Sequence, residues 1–461
     1  MLIRNAEVWG VGLADVRVAG GAIAEIKRDS PYSSGIDANG AALLPGLHDH
    51  HIHLAGLAAR VASVWCGPPE IETAEALAEC LSLPGAGWLR GIGYHESVMG
   101  LPDARSLDRI VPHRPLRMQH RSGRMWLLNS AALAELLAHA APPPGLERDG
   151  GGFTGRLFDE DQWLRTALAS TPPDFTAVSA ELARCGVTGL TDMSPRNDAV
   201  IAAHFAAQQS CGSLQQNCWL AGELSLAEAP QGPWHLGPAK LHLHEAALPD
   251  FDDALAFIAA AHLQGRGVAV HCVTEVELVF TLALLDEAGA MPGDRIEHAS
   301  IASPELIEQI AAHGLAVCVQ PHFVAERGDS YLRDVEASHQ DDLYRLASLR
   351  DAGIPLAGGS DAPFASADPW AAMAAAVSRQ TSAGQTIGAE EALTPKQAVE
   401  LYLKAPDDLT RERRIAVGEP ADLCLLSRPW AEAQNRLTSA DVRATFIAGR
   451  LVHNRIDQPP T

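Results

Sequence analysis

The sequence predicts an α/β chain, a (β/α)8 barrel carrying a small β-sandwich domain built from both chain termini. Three observations carry that expectation. Strand-like runs ending in polar residues alternate with Ala/Leu-rich helical stretches through the middle of the chain. Both ends are instead rich in short alternating runs broken by Gly pairs. At 461 residues the chain also exceeds the usual size of one core.

The elements follow in order. The first 45 residues hold "AEVWG" and "ADVRVAGGAIAEIKR", which read as antiparallel strands joined by tight turns. The far end repeats the pattern in "ADLCLLSRP" and "VRATFIAGRLVHN". Residues 1–46 and 408–461 are therefore assigned to the sandwich and 47–407 to a TIM-like barrel. Eight runs suit the barrel strands: "ALLPGLHDHHIHL", "RPLRMQH", "GVTGLTDM", "PAKLHLHE", "GVAVHCV", "DRIEHAS", "LAVCVQP" and "IPLAGGSDAP". Helices are plain in "DFDDALAFIAAAHLQGR", "EVELVFTLALLDEAG" and "SPELIEQIAAHG", the last opened by a Ser cap with Glu in its first turn. Residues from about 55 to 150 are too long for one strand–helix connection and are read as an insertion over the barrel mouth. Its "GGGFTG" run lacks the Gly-Lys-Ser/Thr ending of a phosphate loop.

Composition narrows the function. Lys+Arg is 35 against 57 Asp+Glu, a formal net charge of −22. Such a surface repels phosphate backbones and anionic lipid, so neither nucleic acid nor membrane is expected as a partner. The N-terminus lacks the basic start and apolar run of a signal peptide, and there is no apolar stretch long enough to span a bilayer. The eight cysteines form no Cys-x-x-Cys pair, as expected of reduced thiols in a cytoplasmic protein.

"LLPGLHDHHIHL" places His48, His50, His51 and His53 within one strand. Residues two apart share a face, so His51 and His53 point together, near the strand's C-terminal end. That is the catalytic end of such a barrel. Lys240, His271, His298 and Asp361 stand at the ends of later strands. Each alone reads as a wall residue, a cap or a solvated side chain; a whole series of them is harder to explain that way. Imidazole and carboxylate suit zinc and related divalent ions. An ammonium has no lone pair to offer, but a neutral lysine amine that has taken up carbon dioxide becomes a carboxylate on a long stem.

On these residues the sequence resembles the amidohydrolase superfamily, and more narrowly its amidohydrolase-3 branch, which includes the N-substituted formamide deformylases. "RIEHAS", "QPHF", "GGSDAPFASADPW" and "GEPADLCLL" match later segments of that branch, so the likeness covers nearly the whole chain. The resemblance implies two divalent metal ions, with zinc foremost and manganese, iron or nickel also able to use these ligands. His51, His53 and Asp361 would hold one ion, His271 and His298 the other, with carbamylated Lys240 and a hydroxide bridging. Asp361 would shuttle the proton. The implied reaction is hydrolysis of a non-peptide C–N bond in an amide or cyclic amide. The alternatives are an ester or lactone at the same site, or a mononuclear deaminase, against which Lys240 argues. The implied partner is a small-molecule substrate, and barrels of this kind often pair as homodimers.

The sequence departs from the branch where substrate is normally held. His242, His244 and Glu245 follow the lysine where Asp-Gly is usual, Thr274 and Glu275 follow the fifth strand, and Arg124 replaces a usual His. The expected substrate-binding residues are Tyr94, His95, Arg121, Arg124, Trp126, His244, His322 and Arg327, with Glu96 and His120 beside them. Arginines there fit an anionic substrate, or equally salt bridges on an acidic surface.

Overall fold

A computed structural model of the protein describes residues 1–28, 34–85, 87–168 and 172–456. The chain divides into two compact units, one of Met1–Leu54 and Asp174–Thr461, the other of Ala55–Pro173.

The first unit holds the barrel. Its strands are β1 (Leu47–Ile52), β2 (Val187–Asp192), β3 (Asn217–Gly222), β4 (His235–His242), β5 (Val268–Cys272), β6 (Arg295–His298), β7 (Ala316–Val319) and β8 (Leu356–Gly358). They lie side by side in chain order, all parallel. The segment after β8 returns to β1: Asp361 N–H donates to the His51 carbonyl at 2.6 Å and His53 N–H to the Ala362 carbonyl at 2.8 Å. The sheet is thereby nearly closed. Most strand residues are buried, as expected where helices cover a parallel sheet.

One expected barrel strand lies elsewhere. "RPLRMQH" is not a barrel strand; Leu116–His120 pairs antiparallel with Met125–Leu128 in the second unit. Its barrel place is taken by Asn217–Gly222, "NCWLAG", whose apolar run is too short to be told from a helix segment by periodicity alone.

The helix caps match their sequence signals. Ser303 accepts the Leu306 N–H at the start of Pro304–Ala312. Thr274 and Glu277 form a capping box on Glu275–Ala288, so the departure at Thr274 and Glu275 is a helix start.

The chain ends build one mixed sheet of eight strands rather than two separately bonded layers. Ile3, Val16, Val18 and Ile23 from its N-terminal strands share an apolar core with Leu423, Leu425 and Phe446 from its C-terminal strands. Asp408–Glu412 pairs with Lys404–Ala405 instead of joining this sheet, whose C-terminal part begins at Leu423.

The second unit carries a six-stranded sheet between Val64 and Phe158, with helices packed on it. It is a folded body reaching residue 173, beyond the 150 expected for the insertion. Among the described residues no helix is long and apolar enough to cross a membrane, and the eight cysteines are unpaired.

Candidate metal centre

The alternation of β1 sorts its four histidines into two pairs. His48 and His50 turn one way, their rings 4.5 Å apart, with His48 Nε2 lying 2.9 Å from Thr191 Oγ1. His51 and His53 turn the other way and line a cavity of about 300 Å³. Lys240, His271, His298 and Asp361 line the same cavity, so all six expected ligands meet there. The rings run in series, with centroids 5.3 Å apart for His51–His53, 4.9 Å for His51–His298 and 4.5 Å for His271–His298. Asp361 Oδ1 stands 3.1 Å from His53 Nε2 and 3.4 Å from His51 Nε2. Among the described residues, His51, His53 and Asp361 form one of two groups close enough to hold an ion; His51, Glu297 and Cys318 form the other.

Protonation decides what these atoms can do. Burial pushes the His51 imidazole down to about 3, so the ring is neutral and carries one proton. That proton belongs on Nδ1, which lies 2.5 Å from the Glu297 carboxylate. His51 Nε2 therefore presents a bare lone pair to Asp361, whose oxygens are lone pairs as well. Burial also lowers His271 and His298. It would raise Asp361, yet the hydrogen bond from His53 holds that carboxyl below the usual range. Lys240 is lowered by burial, against the pull of Glu297. Its Nζ is buried without a hydrogen-bond partner, as is His298 Nε2. Converging lone pairs and orphaned buried donor atoms are costly in a bare site, and a cation satisfies them. The residues present fit a divalent metal.

Comparison with known proteins agrees. The model of the amidohydrolase family matches residues 34–453. This chain belongs to the amidohydrolase family. It is 27% identical to the amidohydrolase YtcJ of Bacillus subtilis (strain 168), over 93% of this chain and 92% of that one. It is 26% identical to the N-substituted formamide deformylase of Arthrobacter pascens, over 99% and 98%. Among solved structures, an uncharacterized metal-dependent hydrolase from Pyrococcus horikoshii OT3 superposes with a TM-score of 0.77 at 19% identity, covering 93% of this chain and 97% of that one. The amidohydrolase is thus an enzyme, a hydrolase acting on carbon–nitrogen bonds.

The expected ligands of the amidohydrolase are framed by residues to which the sequence assigns no role. Asp49 Oδ1 accepts the N–H of His51 and of Ser360. His298 Nδ1 lies 2.7 Å from Gln320 Oε1, and His53 Nδ1 3.2 Å from Ser194 Oγ. Glu297 accepts from both His51 and Arg295. A signal for this last pair lies in "RIEH", where an Arg and a Glu two apart share one face of an otherwise buried strand. Asp361 and His298 hold φ values of 51° and 75°, left-handed backbone that non-glycine residues adopt only where the surroundings impose it.

The residues expected to bind substrate separate. Arg327 lines the cavity, with its guanidinium 4.4 Å from the Phe323 ring centre and a bond to the Phe364 carbonyl. Phe323, Tyr331, Tyr344 and Phe364 complete an aromatic wall that was not foreseen. His242 also lines the cavity, its ring 4.4 Å from that of His271. His244 does not: it is exposed and accepts the Ala246 N–H at the start of a short turn. His322 is buried outside the lining, its Nε2 2.8 Å from the Ser360 carbonyl.

The other five lie in the second unit. Trp126 is core there, bonded to Asp161, and is not an exposed wall. Tyr94 is buried and donates to the Gly100 carbonyl. Exposed Arg124 pairs with Asp159 on the surface, the salt-bridge alternative foreseen for it. Arg121 is exposed. His95 and His120 stack at 6.0 Å beside Glu96.

Proposed function

We propose that this amidohydrolase is a binuclear metal-dependent hydrolase of a small amide or cyclic amide. His51, His53 and Asp361 would hold one ion and His271 and His298 the other, with carbamylated Lys240 shared between them. The observation that carries the reading is Lys240: an unpaired amine, buried among imidazoles and a carboxylate, whose charged form burial disfavours. A neutral amine is the form that takes up carbon dioxide, and the resulting carboxylate would serve neighbouring cations.

The chemistry that zinc supplies in such a site is Lewis acidity and a water acidified to a pKa of about 7. The chain's own residues do the rest. Asp361, ionised at neutral pH, accepts the proton of the attacking water and returns it to the leaving nitrogen. The aromatic wall excludes water and holds the apolar part of the substrate. Arg327 offers its remaining N–H groups to an anionic substituent.

The test is metal content per chain after expression with zinc and bicarbonate, beside Lys240→Ala. About two ions, falling sharply in the variant, is the expected result. About one ion, unchanged by the variant, would leave Lys240 outside the site and favour the mononuclear alternative, for which the close His51–His53–Asp361 group alone would suffice.

A further inference from the structure

The ring nitrogens that face away from the cavity have unequal partners. Ser194 stands by His53 and Gln320 by His298, both neutral. His51 Nδ1 instead lies 2.5 Å from Glu297 Oε2, and Glu297 is fully buried. The other oxygen, Oε1, accepts from Arg295 Nε at 2.5 Å. Arg295 is buried too, and its Nη2 donates to the His50 carbonyl at 2.9 Å. The contacts close a ring: His51 side chain, Glu297, Arg295, the His50 carbonyl, and back along the peptide to His51. Both the imidazole and the backbone that carries it are fixed by one charged pair.

Stability is a weak explanation for that pair. A buried ion pair is commonly no better for folding than apolar residues of the same size. What it supplies is direction. A carboxylate on Nδ1 selects one tautomer, fixes the ring plane and raises the basicity of Nε2. Neither Ser194 nor Gln320 can do this to the same degree, because neither is charged.

We infer that Glu297, clamped by Arg295, is the positioning residue of the metal centre and sets its affinity for the ion held by His51, His53 and Asp361. The inference rests on the reading of His51 as a ligand. It makes β6 a double contributor: His298 faces the cavity as a ligand, while Glu297 serves a ligand on β1.

The experiment compares metal-free wild type with Glu297→Gln, which keeps shape and an acceptor but loses the charge. Zinc affinity is read by competition with a chromophoric chelator, and the unfolding midpoint of the metal-free protein is read in parallel. The variant is expected to bind one ion about 10–100-fold more weakly, with little change in the metal-free midpoint. Affinity within about threefold of wild type in a folded variant would overturn the inference while leaving the metal site intact. A wild type that binds no zinc would overturn both this inference and the reading beneath it. Should Glu297→Gln not fold, Glu297→Asp is measured the same way. Its shorter carboxylate cannot reach His51 and Arg295 together, so an affinity equal to wild type would again overturn the role.

Discussion

Asp49 Oδ1 accepts the backbone N–H of Ser360 at 2.9 Å and that of His51 at 3.1 Å. One oxygen thus ties the first barrel strand to the loop that carries Asp361. The carboxylate is buried, and burial pushes it up to about 6, with the two N–H groups pulling it down. Asp49→Ala leaves both donors buried without a partner. The expected loss is about 2–4 kcal/mol in urea unfolding, with lowered metal content. An unchanged unfolding midpoint would remove Asp49 from the frame of the site.

Gly359 makes the same junction possible from the other side. A Cβ there would lie 2.7 Å from the His51 nitrogen, where nothing can yield. Gly359→Ala must push β1 away from the Asp361 loop, separating His51 from Asp361, the two residues proposed to share one ion. Overpacking of this kind costs about 1–3 kcal/mol, so a lower melting temperature and weaker zinc binding are expected together. A variant with full metal content would show that the loop can move without the ligands.

Much of this candidate site was legible because the residues proposed as ligands sit at strand ends with fixed spacing. His-x-His on β1 needs only the alternation of a strand, and Lys240, His271, His298 and Asp361 each end a run that looks like a strand. The supports were harder to read. Glu297 precedes His298, a proposed ligand, and turns the opposite way, and its partner His51 lies 246 residues off in the chain. Gln320, Ser194 and Asp49 act through contacts that no local pattern encodes. Leu116–His120 alternates apolar and polar residues, which marks a strand without saying which sheet it joins, and the short apolar run of Asn217–Gly222 cannot be told from a helix segment by periodicity alone. Trp126 was expected at the substrate and lies in a core for a physical reason: an indole suits a core and a binding wall equally well.

Metal removal follows from the bare lone pairs at the centre. Chelation should abolish hydrolysis, and zinc should restore it. An ion that prefers the folded chain stabilises it, so excess zinc should also protect the protein against unfolding, by up to about 2.7 kcal/mol at a hundred times Kd. Thermal unfolding across a zinc titration reads this directly. A midpoint that ignores zinc would contradict a site whose buried nitrogens need a cation.

Asp361 separates binding from turnover. Its carboxylate faces His51 and His53, and the hydrogen bond from His53 holds it below the usual carboxylate range against burial, so it is ionised at neutral pH. Asp361→Asn keeps one oxygen as a ligand and removes the basic site. Much of the metal should therefore remain, while kcat on a confirmed amide substrate falls about 10²–10⁴-fold, the usual contribution of a positioned general base. Metal content and kcat must be measured on the same preparation, because loss of the ion would mimic loss of the base. Hydrolysis at the wild-type rate with metal in place would assign the proton transfer to another group in the cavity, with His242 the next to test.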